Sequence, residues 1–68
     1  MATVHKLSTA KDMVDEVGKD QVDSVYSYKS MNGDKLYAVF FKGTPVDIYT
    51  SIYCRDQKCI FENGKWLL

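Results

Sequence analysis

Histidine and cysteine are scarce in this sequence. There is one histidine, His5, and there are two cysteines, Cys54 and Cys59, among 68 residues. Their C-x4-C spacing differs from the C-x2-C pairs of zinc knuckles and thioredoxin-like motifs, and two cysteines are too few for a secreted disulfide scaffold. No P-loop, G-x-G-x-x-G or H-E-x-x-H motif occurs. We therefore predict a protein that is not an enzyme and holds no metal or cofactor.

Net charge and long apolar runs are also lacking. Nine basic and nine acidic side chains cancel, so no overall field draws the protein to nucleic acid or anionic lipid. No run approaches the roughly 18 apolar residues of a membrane span, and the first residues do not resemble a secretory signal peptide. The sequence predicts a soluble cytoplasmic protein with no membrane partner, for which nucleic acid is a less favoured partner than protein.

Proline and glycine are scarce, with one and four residues respectively, so no linker divides the chain. Hydrophobic residues make up 46% and charged residues 26%, which is typical of a chain that folds. A core in so short a chain rarely supplies more than about 3–5 kcal/mol of net stability. We predict a single small domain over residues 1–68 with little room for a deep pocket.

A helix is predicted over about residues 9–18. Its apolar residues recur at i, i+3, i+4 and i+7: Ala10, Met13, Val14 and Val17. Ser8 or Thr9 can cap its first amides, Asp12 and Asp15 suit the positive end of its dipole, and Gly18 can end it. Residues 3–7 are interpreted as a short strand or a simple lead-in.

After residue 22 the apolar side chains recur with a period of two, which is typical of strands. The two Asn-Gly pairs, at 32–33 and 63–64, favour tight hairpin turns. We predict strands at about 23–31, 35–42, 46–54, 58–62 and 65–68, with four-residue loops at 42–45 and 55–58. The predicted fold is α+β, with the N-terminal amphipathic helix packed on a five-stranded antiparallel meander. The meander is either an open sheet or a small SH3-like barrel.

The turn positions predict which side chains share a face of the sheet. A two-residue turn at 32–33 places Tyr26 opposite Val39, and Val25 opposite Phe40. The predicted core face then carries Tyr26, Tyr28, Tyr37, Val39, Phe41, Val46, Ile48, Thr50, Ile52, Cys54, Cys59, Phe61, Trp66 and Leu68. On this face Cys54 lies directly opposite Cys59, either as a redox-sensitive disulfide or as two buried thiols.

The other face carries more large apolar side chains than solubility requires, and we predict partner binding there through Leu36, Phe40, Tyr49, Tyr53 and Ile60. The rest of the chain, a second copy or another protein could cover this face. We predict a small non-enzymatic interaction module, regulatory or inhibitory, that acts through these aromatics and can form a homodimer. The alternative is single-stranded nucleic-acid binding by the same face, with bases stacked on its aromatic rings.

Overall fold

One helix and five strands make up the fold in the computed structural model, which describes residues 2–43 and 55–68. In chain order the elements are β1 (Ala2–Val4), α1 (Leu7–Val17), a 3-10 turn (Lys19–Gln21), β2 (Val22–Lys29), β3 (Lys35–Phe41), β4 (Arg55–Glu62) and β5 (Lys65–Trp66). The strand predicted at 46–54 lies outside the described residues, as does the second half of the loop predicted at 42–45.

The strands form one antiparallel sheet in the order β1-β3-β2-β4-β5. The predicted α+β class, with one helix and a five-stranded antiparallel sheet, is therefore confirmed. The order is not that of a meander, because the N-terminal strand pairs with β3 and β4 pairs with β2. Within the described residues β1 and β5 are the sheet edges, so the sheet is not closed into a barrel.

Helix α1 begins two residues earlier than predicted. Lys6 is its N-cap residue and provides no side-chain cap, so the predicted capping by Ser8 or Thr9 is wrong. Leu7 packs against the hydrophobic core, and this tertiary contact outweighs the local capping preference. The helix ends as predicted at Gly18, whose amide donates a hydrogen bond to the Val14 carbonyl at 2.8 Å.

The hydrophobic core lies between α1 and one face of the sheet. Its buried members are Ala10, Val14, Val22, Val25, Val39, Ile60 and Phe61, and partly buried apolar residues surround them. The predicted helical stripe supplies Ala10 and Val14, with Met13 at its border. Val17 is 42% exposed, and Leu7 at the other end of the helix packs on the core instead.

The β2–β3 turn contains one residue more than predicted. Ser30 donates its amide to the Asp34 carbonyl at 2.9 Å, and Gly33 donates its amide to the Ser30 carbonyl at 3.0 Å. Residues 31–33 therefore form a three-residue loop that ends in Gly33, at a φ of 86°, where glycine is favoured. The predicted register is wrong by one residue: Val25 lies opposite Val39, and Tyr26 lies opposite Ala38.

This shift exchanges the two faces of β2. Val25, predicted on the outer side, is completely buried beneath the helix. Tyr26 and Tyr28, predicted in the core, lie on the opposite face with Ala38 and Leu36.

The loop predicted at 55–58 is wrong, because these residues begin β4 and pair with β2. The register shifts within β4: Phe61 lies opposite Val25, and Cys59 lies opposite the next residue, Tyr26. Ile60 is the extra residue of this β-bulge, which allows it and Phe61 to lie in the same core.

The second Asn-Gly pair forms the predicted two-residue hairpin turn. Asn63 and Gly64 both have positive φ, at 54° and 77°, as a type I′ turn requires. Phe61 lies opposite Trp66 as predicted. Their ring centroids are 4.9 Å apart in an edge-to-face contact, and the Lys11 ammonium lies 5.7 Å from the centroid of the Trp66 ring. This contact connects α1 to the last strand.

Candidate functional site

The face of the sheet that points away from α1 is the candidate binding surface, and we call it the second face. Paired residues of adjacent strands share a face, and Val25 and Val39 belong to the helix-side core. The second face therefore carries the neighbouring side chains: Ser24, Tyr26, Tyr28, Leu36, Ala38, Phe40, Cys59 and Glu62. Two tyrosines and one phenylalanine make it aromatic.

The structure separates the five residues predicted to bind a partner. Leu36 lies on the second face and is half-buried. Phe40 also lies there but is only 1% exposed, and Ile60 is 3% exposed within the helix-side core. The expectation that Phe40 and Ile60 are accessible is wrong, since the first is enclosed and the bulge turns the second to the helix side. Tyr49 and Tyr53 lie outside the described residues, so their role stays a prediction.

Tyr26 and Tyr28 are the aromatic residues of this face that sequence reasoning missed. Both are half-buried, and a two-residue turn after β2 would place both in the core, whereas the observed turn has three residues. Ser30 and Asp34, which flank the loop, carried the missing signal. The Ser30 hydroxyl oxygen accepts a hydrogen bond from the Asp34 amide at 3.3 Å, a local contact typical of turn residues with short polar side chains.

Phe40 packs against Tyr26 on the same face of the sheet. Their ring centroids are 5.9 Å apart and the rings are nearly perpendicular, at 86°, which is a favourable arrangement for two aromatic quadrupoles. Because Phe40 is buried, it restricts the position of Tyr26 while part of the tyrosine stays accessible. The second face thus presents an aromatic side chain that is already ordered.

Tyr26 is partly buried and lies near acidic side chains. Burial raises the pKa of its hydroxyl above 10.0, and Cys59, Glu62 and Asp23 raise this pKa further. The Asp23 carboxylate also accepts a hydrogen bond from the Ser24 hydroxyl at 3.0 Å. At neutral pH the Tyr26 hydroxyl is therefore protonated, and the two nearby carboxylates disfavour additional negative charge.

Cys59 is half-buried beside Tyr26, so its predicted place on the core face is wrong. Its thiol donates to the Phe61 carbonyl at 3.4 Å and lies 3.7 Å from a Glu62 carboxylate oxygen. Burial raises the pKa of the thiol and the Glu62 carboxylate adds to this effect, so the pKa lies above its ordinary value. A thiol held protonated in this way is a poor nucleophile. Cys54 lies outside the described residues, so the predicted cysteine pair stays untested.

A surface cleft of about 330 Å³ lies at the sheet end where β2 begins and β3 ends. It is lined by Lys19, Asp20, Val22, Asp23, Lys42, Asn63 and Gly64. Its two lysines and two aspartates balance in charge, and we assign it no ligand. Over residues 2–43 and 55–68 no group of three or more His, Cys, Asp or Glu side chains is arranged to hold a metal ion. In the same part of the chain, no helix is long and apolar enough to cross a membrane.

Comparisons of the chain with protein-family models, with curated proteins and with solved structures find no match.

Proposed function

We propose that this protein is a small non-enzymatic interaction module that binds a partner protein through the second face, as a regulatory or inhibitory accessory protein. The observation that carries the proposal is the accessible aromatic surface of Tyr26 and Tyr28 beside Leu36. Tyrosine suits a binding surface because it buries a large area at low entropic cost and keeps a hydroxyl for hydrogen bonding.

These three side chains are neighbours. Leu36 lies directly opposite Tyr28 across the β2–β3 ladder. Tyr26 lies two residues before Tyr28, so it projects from the same face about 7 Å along the strand. Together they form a continuous apolar strip with hydroxyl groups. Since Phe40 contacts and restricts Tyr26, binding has less side-chain entropy to remove at that end of the strip.

The charges beside the strip favour a protein partner that presents hydrogen-bond donors or cations. Glu62 and Asp23 both raise the pKa of Tyr26, so these two carboxylates act on the tyrosine side chain. A partner's Lys or Arg side chain placed over the tyrosine ring would be attracted by the carboxylates and by the ring itself. A phosphate group in the same place would be repelled.

Single-stranded nucleic-acid binding is the second candidate function, and the aromatic rings on one sheet face are the observation that favours it. Glu62 and Asp23 weaken this alternative, because bases stacked on Tyr26 would bring phosphates near two carboxylates. We therefore favour protein binding.

A paired substitution tests the proposal. Tyr28→Ser with Leu36→Ser removes the apolar strip, and Ser8→Ala with Thr9→Ala changes two exposed residues of α1 as the control. Proteins captured by the wild-type chain are purified, and their affinities for the three chains are measured by isothermal titration calorimetry. We expect the strip variant to bind at least about tenfold more weakly, as for loss of a central anchor, and the control to bind like wild type.

Equal affinities for all three chains would refute the assignment of the second face. Fluorescence anisotropy with an oligodeoxythymidine decides the alternative. Binding that falls steeply between about 50 and 200 mM salt and is lost in the strip variant would support nucleic acid as the ligand instead.

A further inference from the structure

Three cations lie side by side across one end of the sheet. Lys29 is directly opposite Lys35 on β3 and directly opposite Arg55 on β4. All three are exposed, and the register places them on the helix side, in line with Val25 and Tyr37. The Arg55 guanidinium donates to the carbonyl oxygens of the β2–β3 loop, at 3.2 Å and 3.4 Å. We call Lys29, Lys35 and Arg55 the cation row. Like charges directly opposite each other in a sheet repel, so the row carries an electrostatic cost in the isolated chain.

Helix α1 has the reverse of the usual charge preference. Its N-cap residue is Lys6, its first turn has no acidic residue, and its last turn has no basic residue. The last turn instead contains Asp15 and Glu16, which are exposed beside the negative end of the helix dipole. As in the cation row, these charges are placed unfavourably for an isolated chain.

Both arrangements polarise the molecule in the same direction. Strand β1 runs antiparallel to β3, so Lys6 leaves β1 at the sheet end where β3 begins with Lys35. The positive end of the helix dipole therefore lies at the end of the cation row. The carboxylates of the last turn lie at the other end, toward the 3-10 turn. A chain with no net charge thus has one basic and one acidic end on its helix side.

We infer that two copies of this chain associate antiparallel through their helix sides, so that the cation row of each copy faces the carboxylates of α1 in the other. The matching groups are exposed on the same side of one chain, and a two-fold axis satisfies both contacts at once. Asp12 lies one turn before Asp15 and Glu16 and about 5–6 Å from each on the helix surface, a separation close to the roughly 4.8 Å between adjacent strands of the row.

The proposed dimer does not involve the second face of either copy, so this inference does not depend on the proposed function. Charge complementarity identifies a second copy as the partner of the cation row, because each copy carries the α1 carboxylates that the row would bind. Such contacts between exposed charges are weakened by salt, because the screening length falls to about 8 Å at physiological ionic strength.

Sedimentation velocity of the purified chain at low and high ionic strength tests the inference. We expect dimers at low salt. Addition of about 0.3 M NaCl should raise the dissociation constant of the dimer by about tenfold or more. Lys29→Glu with Lys35→Glu reverses the row and should give monomers. Lys42→Glu with Lys65→Glu is the matched control, because it changes net charge equally at the opposite end and should leave the dimer intact.

Adding Asp15→Lys and Glu16→Lys to the row variant returns net charge to zero and reverses both contacts, so the dimer should form again. Circular dichroism checks that every variant is folded. A monomeric wild-type chain at low salt would overturn the inference, as would a row variant that dimerises like the control. A wild-type chain that stays monomeric but binds poly-L-glutamate or an oligodeoxythymidine would also overturn it, and would identify another anionic partner for the row.

Discussion

Replacing Val25 by alanine tests the β2 register more directly than any other single change. Val25 is completely buried beneath α1, between Val39 and Phe61 on the neighbouring strands. Under the register predicted from the sequence, the same side chain would lie on the outer face and Tyr28 would lie in the core. The two registers therefore predict opposite orders of stability for Val25→Ala and Tyr28→Ala.

The expected cost of Val25→Ala follows from its burial. Two methyl groups leave the core at about 0.8 kcal/mol each, and the rigid surroundings add a cavity term, which gives roughly 2–3 kcal/mol. In a domain of this size that loss lowers the melting temperature by roughly 10–20 °C. Tyr28 is half-buried and outside the core, so we expect Tyr28→Ala to cost about 1 kcal/mol or less.

Urea denaturation measures both changes. Trp66 is the sole tryptophan and packs against Phe61, so its fluorescence reports loss of the core. Free energies from the midpoints are comparable if the denaturant slope is the same in all chains. If Tyr28→Ala lowered the free energy of unfolding more than Val25→Ala does, the observed register and the composition of the second face would be refuted.

Two further predictions concern the groups around Cys59. Burial raises the pKa values of Tyr26 and Cys59 above their ordinary 10.0 and 9.0, so the folded state holds these protons more tightly than the unfolded chain. The contribution of these two groups to stability should be constant below about pH 9 and should fall as pH rises through their raised pKa values, and Tyr26→Phe should reduce this fall. Urea midpoints measured up to about pH 11 check the prediction, and an identical decline in both chains would contradict it. In a Cys54→Ser chain, Glu62→Gln should lower the pKa of the Cys59 thiol by removing the carboxylate that raises it. The rate of reaction with a chromogenic disulfide reagent at about pH 8 should then increase, and an unchanged rate would show that Glu62 does not influence the thiol.

The same dipeptide forms two different turns in this chain, and this limited what could be predicted from the sequence. Asn63-Gly64 adopts the two-residue turn, so the pairing of Phe61 with Trp66 was predicted correctly. Asn32-Gly33 forms the end of a longer loop, because Ser30 and Asp34 close the hairpin one residue farther out. Alternation then predicted the wrong side for the residues of β2 from Val25 onward, although the strand itself was predicted within two residues.

The candidate site was predicted in part for the same reason. The side-chain alternation of β3 was correct, so Leu36 and Phe40 were placed on the correct face. Their exposure did not follow from alternation, because burial depends on the packing of both faces. Ile60 was misplaced by a bulge that leaves no local pattern. The three-residue strand β1 is too short for periodicity, and its pairing with β3 is a long-range contact.

The strand order also determines how this chain can fold. The β2–β3 hairpin joins residues that are close in sequence, but the other central pairing joins Val25 to Phe61, and the edge joins Ala2 to Val39. Each of these last two pairs spans more than half of the chain. Loops of that length must close before α1 has a complete sheet to cover, so we expect folding in milliseconds to seconds, as in β-rich domains, rather than the microseconds typical of small helical bundles.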